Sequence, residues 1–228
     1  MADSPPPQAR EVPRLFLIRH GQTEWSQNGR HTGTSDIPLT AKGEEIIKSH
    51  RKAVVGPGKL LDPSNICHIY VSPRQRARKT FELLFDDCEA DQQKRPPYTV
   101  WPCVQEWDYG EYEGLTSGQI REKNADWEIF RDGCPGGESV EDMTKRVDEV
   151  IVAVKEIHRK YYEEGIGRQD VLVVAHGHFS RCLIARWLNT PLFTGYHFTV
   201  EPAGIVMLTY GHHSLKETSL SGLNLHAF

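Results

Sequence analysis

Residues 14–21, RLFLIRHG, and residues 171–178, VLVVAHGH, decide the fold. Each is a short apolar run that breaks into a histidine–glycine pair. Unbroken apolar runs of this length suit strands buried on both faces, the habit of a parallel sheet covered by helices. Outward from them, Ile66–Val71 (ICHIYV) reads as a second strand, and Tyr98–Val104 as a third, edge strand because Pro102 interrupts it. Ile205–Tyr210 reads as the last strand. Helices fall between them. Thr40 suits the N-cap of a helix over about residues 41–55, with Gly56-Pro57-Gly58 as its stop. Pro73 suits the first turn of a helix running to about Phe85, with Phe81, Leu84 and Phe85 on one side. Ser139 and Asp142 resemble a capping box, after which Val140, Met143, Val147, Val150, Ile151, Val154, Ile157 and Tyr161 recur at helical spacing as far as Gly165. A last helix is predicted over about Phe179–Leu188. Strand and helix in alternation predict an α/β fold, a mostly parallel central sheet with helices on both faces. Residues 86–97 read as a loop. Residues 107–137, aromatic, acidic and Gly-rich with one or two short helices, read as a lid segment inserted over the sheet.

The 228 residues suit one domain, expected over residues 13–228, and are enough for a core without staples. Hydrophobic residues make up 38% and charged residues 25%, an ordinary balance that argues against disorder. A net charge of −4 excludes a generally basic nucleic-acid coat, so attraction for anions must come from a local cluster. Residues 1–12 carry two acids and three prolines where a secretory signal would be basic and then apolar, and read as a flexible tail. No run approaches the roughly 18 apolar residues of a membrane span. The five cysteines are scattered without a CxxC pair, which points to a reducing, cytoplasmic setting.

In open α/β sheets, ligands bind beyond the carboxyl ends of the strands. Those ends here carry Arg19-His20-Gly21, Ser72-Pro73-Arg74-Gln75-Arg76 and His176-Gly177-His178, with Glu106 near the end of the third strand. Two histidines, several arginines and a carboxylate thus converge on one crevice from distant segments. Arginine forks neutralise and orient phosphate oxygens. Helix N-termini add backbone N–H donors, and a neutral imidazole can attack the phosphorus so neutralised. Alone, a strand-end histidine is ordinarily a hydrogen-bonded structural residue, and an arginine-rich turn ordinarily a solvated face. The combination is not explained that way.

Together the segments LFLIRHGQTEW, TGTSDIPLTAKG, SPRQRARKT, EWDYGEYEG and VVAHGH resemble, in order and spacing over residues 14–210, the histidine phosphatase superfamily. That resemblance implies a phosphoglycerate mutase-like fold. By position it makes His20 the nucleophile that becomes phosphohistidine, Arg19 and Arg76 the phosphate clamp, and His176 the second histidine on the transferring group. Glu106 is then the acid that protonates the leaving oxygen and later takes a proton from water. Gln22, Thr32 and Gly33 match loop positions that line the phosphate site in relatives. Thr23, Ser26 and Arg74 are candidate substrate contacts. His178 either reaches the pocket or packs, and Trp25, Trp107 and Tyr109 either wall the site or serve the core. His212-His213 reads as surface sequence with no metal role.

Ser26 stands where mutases of the family usually have Asn, Arg74 stands where they have an apolar residue, and the lid is modest. These features favour a phosphatase over a mutase. Within that branch SPRQRARKT, EWDYGEYEGLT, RDGCPGGES and AHGH are similar to the fungal sedoheptulose bisphosphatases, which implies a sugar bisphosphate substrate. The link Asn189–Gly204 is shorter than in those relatives. Two readings from other classes compete. One is a metal-dependent hydrolase using His20, Glu106, His176 and His178, disfavoured by the neighbouring arginines and the lack of HExxH spacing. The other is a binding module without turnover. The preferred reading needs no cofactor and no metal. Its partner is a phosphorylated small molecule, not nucleic acid or membrane, and a homo-oligomer is left open.

Overall fold

The computed structural model of the chain describes residues 10–85 and 95–225. Strand β1 (Arg14–Arg19) lies beside β4 (Asp170–Ala175), parallel and in register from Arg14–Asp170 to Arg19–Ala175. β2 (Ile66–Val71) pairs with the other side of β4, and β3 (Tyr98–Val100) closes that edge. β5 (Ile205–Tyr210) runs antiparallel to β1, and β6 (Thr218–Leu225) is antiparallel to β5. The sheet order is β3-β2-β4-β1-β5-β6.

Every residue of β4 is buried, and the period of two divides the apolar runs between two cores. Leu15, Leu17, Val171, Val173 and Ala175 join one, covered by α6 (Val140–Arg159), α7 (Gly177–Trp187) and the lid. Phe16, Ile18, Leu172 and Val174 join the other, covered by α2 (Ala41–Val54) and α3 (Gln75–Phe85). Each such buried Leu, Ile or Phe contributes about 1.5–3 kcal/mol against exposure. This is the predicted α/β class, with helices on both faces of a mostly parallel sheet.

The expected caps of α2 and α6 are present. Thr40 Oγ1 accepts from the Gly43 N–H, and Ser139 with Asp142 forms the capping box. Several boundaries differ. α3 starts at Gln75, after Pro73 rather than at it, because Asp36 from a distant loop accepts the Gln75 N–H at 2.8 Å. The third strand stops at Val100, and Pro102 opens a 3-10 turn over Pro102–Val104. α7 starts at Gly177, so His176 is its N-cap residue. Ile205–Tyr210 is not the last strand, since β6 follows it. The loop after His20 contains a short helix, α1 (Glu24–Asn28), with its own capping box. The lid holds α4 (Ser117–Lys123) and α5 (Ile129–Asp132).

Of the tail expected over residues 1–12, residues 1–9 lie outside the described ones, as do 86–94 of the expected loop. Arg10 Nη1 donates to the Tyr162 carbonyl at 2.8 Å, and Gln169 Nε2 donates to Glu11 and to the Val12 carbonyl. Among the described residues no helix is long and apolar enough to cross a membrane.

Candidate active site

Because β1 and β4 are adjacent and end level, His20 and His176 leave the sheet together, their ring centroids 5.2 Å apart. His20 Nδ1 lies 2.7 Å from the Gly21 carbonyl, which can only accept, so Nδ1 carries the proton and Nε2 keeps its lone pair. Burial first, then the charges of Arg76 and Arg19, hold the His20 pKa well below 6.5. The ring is therefore neutral at physiological pH. His176 Nε2 sits 2.6 Å from Ser72 Oγ. The Arg74 N–H donates to that same hydroxyl. For the buried hydroxyl proton His176 Nε2 is the one acceptor within reach among the described residues, so Nε2 accepts and the imidazole proton resides on Nδ1.

That His176 Nδ1 is buried without a partner, and so are Nε of Arg19, Arg74 and Arg76. The rest of the Arg19 and Arg76 guanidinium groups is partly engaged. Arg19 Nη1 donates to the Val200 carbonyl at 2.7 Å, while Arg76 donates to the Ser35 and Thr32 carbonyls at 2.9 and 2.8 Å. Gly177 leaves room here, since a Cβ would lie 3.3 Å from the Arg19 guanidinium carbon and push the guanidinium aside by a few tenths of an ångström. An unmatched buried donor costs about 1–3 kcal/mol. Four of them around one neutral imidazole call for an acceptor-rich anion.

Glu106 arrives after the 3-10 turn that follows β3. Its carboxylate accepts from three backbone N–H groups, those of Trp107, His178 and Phe179, at 2.9, 3.0 and 2.8 Å. Two of these belong to the first turn of α7, where the N–H groups lack helical partners and the dipole favours a carboxylate. A brace lies behind it. Arg146 Nε and Nη2 grip the Glu138 carboxylate at 2.6 and 2.7 Å, and Nη1 donates to the Cys103 and Gln105 carbonyls. Glu138 in turn accepts from the Asp108 N–H and, through its carbonyl, from Trp107 Nε1. The residues on both sides of Glu106 are thereby fixed.

A cavity of about 310 Å³ opens at this point. Arg19, His20, Thr23, Trp25, Ser26, Thr32, Glu106, Tyr109 and His178 of the sequence candidates line it. Thr23 and Ser26 do so while capping α1, each backbone N–H donating to the other's hydroxyl. Arg74, Arg76 and His176 stand outside that lining, with both arginines and His20 close enough to His176 to lower its pKa. Gln22 turns away to Thr40, and the Gly33 N–H is taken by the Glu113 carboxylate. Trp107 is core, buried completely. His212 is exposed and paired with Glu217.

Sequence reasoning missed Arg30, His31, Ser117, Arg181 and Thr199 on the wall. Arg181 carried a usable signal, since α7 starts at the site and Arg181 lies one turn beyond Gly177. His31 carried none, because it sits in an irregular loop without periodicity.

The described fold has counterparts. A model described as the histidine phosphatase superfamily, branch 1, matches residues 15–221. A Saccharomyces cerevisiae protein named sedoheptulose 1,7-bisphosphatase is 32% identical, with 92% of each chain covered. A Mycobacterium tuberculosis protein named acid phosphatase is 37% identical, covering 93% of this chain and 94% of the relative. The solved structure of the open reading frame Rv3214 from Mycobacterium tuberculosis superposes with a TM-score of 0.77 at 36% identity, covering 94% of this chain and 98% of that one.

Proposed function

The chain belongs to the histidine phosphatase superfamily, and on that premise we propose that it is a phosphoric monoester hydrolase. It frees phosphate from small phosphorylated metabolites, sugar bisphosphates first among them, through a phosphohistidine at His20. One observation carries this reading: a neutral imidazole with a bare Nε2, ringed by four buried N–H donors that have no partner in the protein. Such a set matches a phosphoryl group, whose oxygens accept and whose phosphorus accepts a nucleophile.

In the first step His20 Nε2 forms a bond to phosphorus as the ester P–O bond breaks. Arg19, Arg74, Arg76 and the His176 Nδ1–H take up the charge on the phosphoryl oxygens. Glu106 passes a proton to the leaving oxygen. In the second step Glu106 takes a proton from water, whose oxygen attacks phosphorus while the N–P bond breaks. Inorganic phosphate leaves and His20 is neutral again.

The name of the yeast relative makes a sugar bisphosphate the first substrate to test, and Arg181 on the cavity wall offers a cation for a second anionic group. A reducing, cytoplasmic setting fits the four described cysteines, all of them free.

The test is rapid quenching with a labelled phosphate ester, beside a panel of sugar phosphates and bisphosphates. An acid-labile, alkali-stable label that disappears in His20→Ala supports the reading, as does phosphate release that survives dialysis against chelator. Isomerisation of 3-phosphoglycerate faster than phosphate release would make the protein a mutase. No label and no turnover with any ester would make it a binding module.

A further inference from the structure

On the cavity wall lined by Glu106, two imidazoles lie face to face. His31 and His178 have ring planes within 3° of parallel and centroids 5.8 Å apart, and both line the cavity. Their proton positions follow from their partners. His31 Nδ1 lies 2.8 Å from the Leu115 carbonyl, which can only accept, so Nδ1 carries the proton. Burial holds the His31 pKa below 6.5, which leaves its Nε2 a bare acceptor. His178 Nδ1 lies 2.6 Å from Tyr109 Oη. Burial raises the Tyr109 pKa well above 10, so the phenol keeps its proton, and His178 Nδ1 is the one acceptor within its reach among the described residues, so the phenol donates to it. Burial, then the charges of Arg181 and His31, lower the His178 pKa, so that ring is neutral with its own proton on Nε2.

The two rings thus hold opposite polarity toward the cavity, an acceptor on His31 and a donor on His178. A phosphate or carboxylate oxygen meets only half of this pair, because it has no proton for His31. An ammonium group meets only the other half. A neutral hydroxyl fits both, donating to one ring and accepting from the next. Tyr109, Trp127 and Phe130 pack edge-on around the two rings and fix their orientation. The geometry points to His31 and His178 as a hydroxyl subsite that selects phosphate esters of polyols over equally long esters without hydroxyl groups. It rests on the reading of the cavity as a phosphatase site.

The test compares kcat/KM for matched esters: glycerol 3-phosphate against propyl phosphate, and ribitol 5-phosphate against pentyl phosphate, with 4-nitrophenyl phosphate alongside. Two bridging hydrogen bonds predict a wild-type preference of at least about tenfold for a polyol ester in one or both pairs. In His31→Phe the preference falls to within about twofold, and His31→Gln, which keeps an acceptor, recovers part of it. Wild-type protein that hydrolyses both members of each pair equally overturns the subsite without any variant. So does a His31→Phe protein that turns over esters with the wild-type ratio. If 4-nitrophenyl phosphate is hydrolysed in either case, the phosphatase reading stands while the subsite falls. Phosphate release from no ester at all overturns both.

Discussion

A single carboxylate divides the chemistry from the scaffolding. Glu106 is held by three backbone N–H groups, two of them from the helix that follows His176. Glu106→Gln keeps the shape but cannot pass a proton, and an amide N–H₂ faces N–H donors where an oxygen did. It should slow hydrolysis of alkyl phosphates by about 10²–10⁴-fold and of 4-nitrophenyl phosphate far less, since nitrophenolate leaves without a proton. Equal slowing in steady-state assays would remove Glu106 from the acid role. The arginines divide similarly. Arg181 lines the cavity, whereas the free Nε of Arg74 is buried near His176. Arg181→Ala should therefore raise KM about tenfold or more for a sugar bisphosphate over its monophosphate. Arg74→Ala should weaken both alike, and a reversal of these two patterns would exchange their roles. At this scale the convergence of Arg19, His20, Arg76, His176 and Glu106 on one crevice was legible, because each stands at or shortly after a strand end within a distinctive pattern. His31 and Arg30 were not, because irregular loops carry no period from which to infer a direction.

Short elements place these residues, and the sequence revealed them unevenly. α6 was evident from its cap and its apolar stripe. α1 escaped notice because five residues cannot show a helical period, although Thr23 and Ser26 have the spacing of a capping box. β6 escaped because TSLSGLNL is polar and only partly buried, so its pairing with β5 comes from backbone hydrogen bonds rather than an apolar pattern. The brace from α6 to the segment bearing Glu106 belongs to the same scale. Arg146 and Glu138 side chains are only 12% and 15% exposed, and removing Arg146 leaves the Glu138 charge and the Cys103 and Gln105 carbonyls without its donors. Arg146→Met should cost about 3 kcal/mol in urea unfolding. A loss within experimental error would show that the segment holds itself.

At the scale of the whole molecule, buried histidines make stability depend on pH. His158, packed between Trp187 and Tyr210, has its pKa lowered by burial to about 3 from 6.5. Between those values the unfolded chain binds a proton that the folded chain refuses. Stability is therefore complete above about pH 6.5 and declines as pH falls toward 3, by up to about 1.4 kcal/mol per pH unit for this group. The urea midpoint should drop more between pH 7 and pH 5 in the wild type than in His158→Phe, and equal drops would exclude His158 as a contributor. The fold class was legible because the buried central strands show as unbroken apolar runs, while the antiparallel edge did not announce itself. The short link Asn189–Gly204 ties these scales together. Its Val200 carbonyl tethers Arg19 by Nη1, and Thr199 and Val200 also form part of the cavity wall. One strip of backbone thus sets both the aim of a charge and the outline of the chamber. Lengthening or trimming it should alter turnover and substrate choice in the same stroke, which couples the two properties wherever this strip changes.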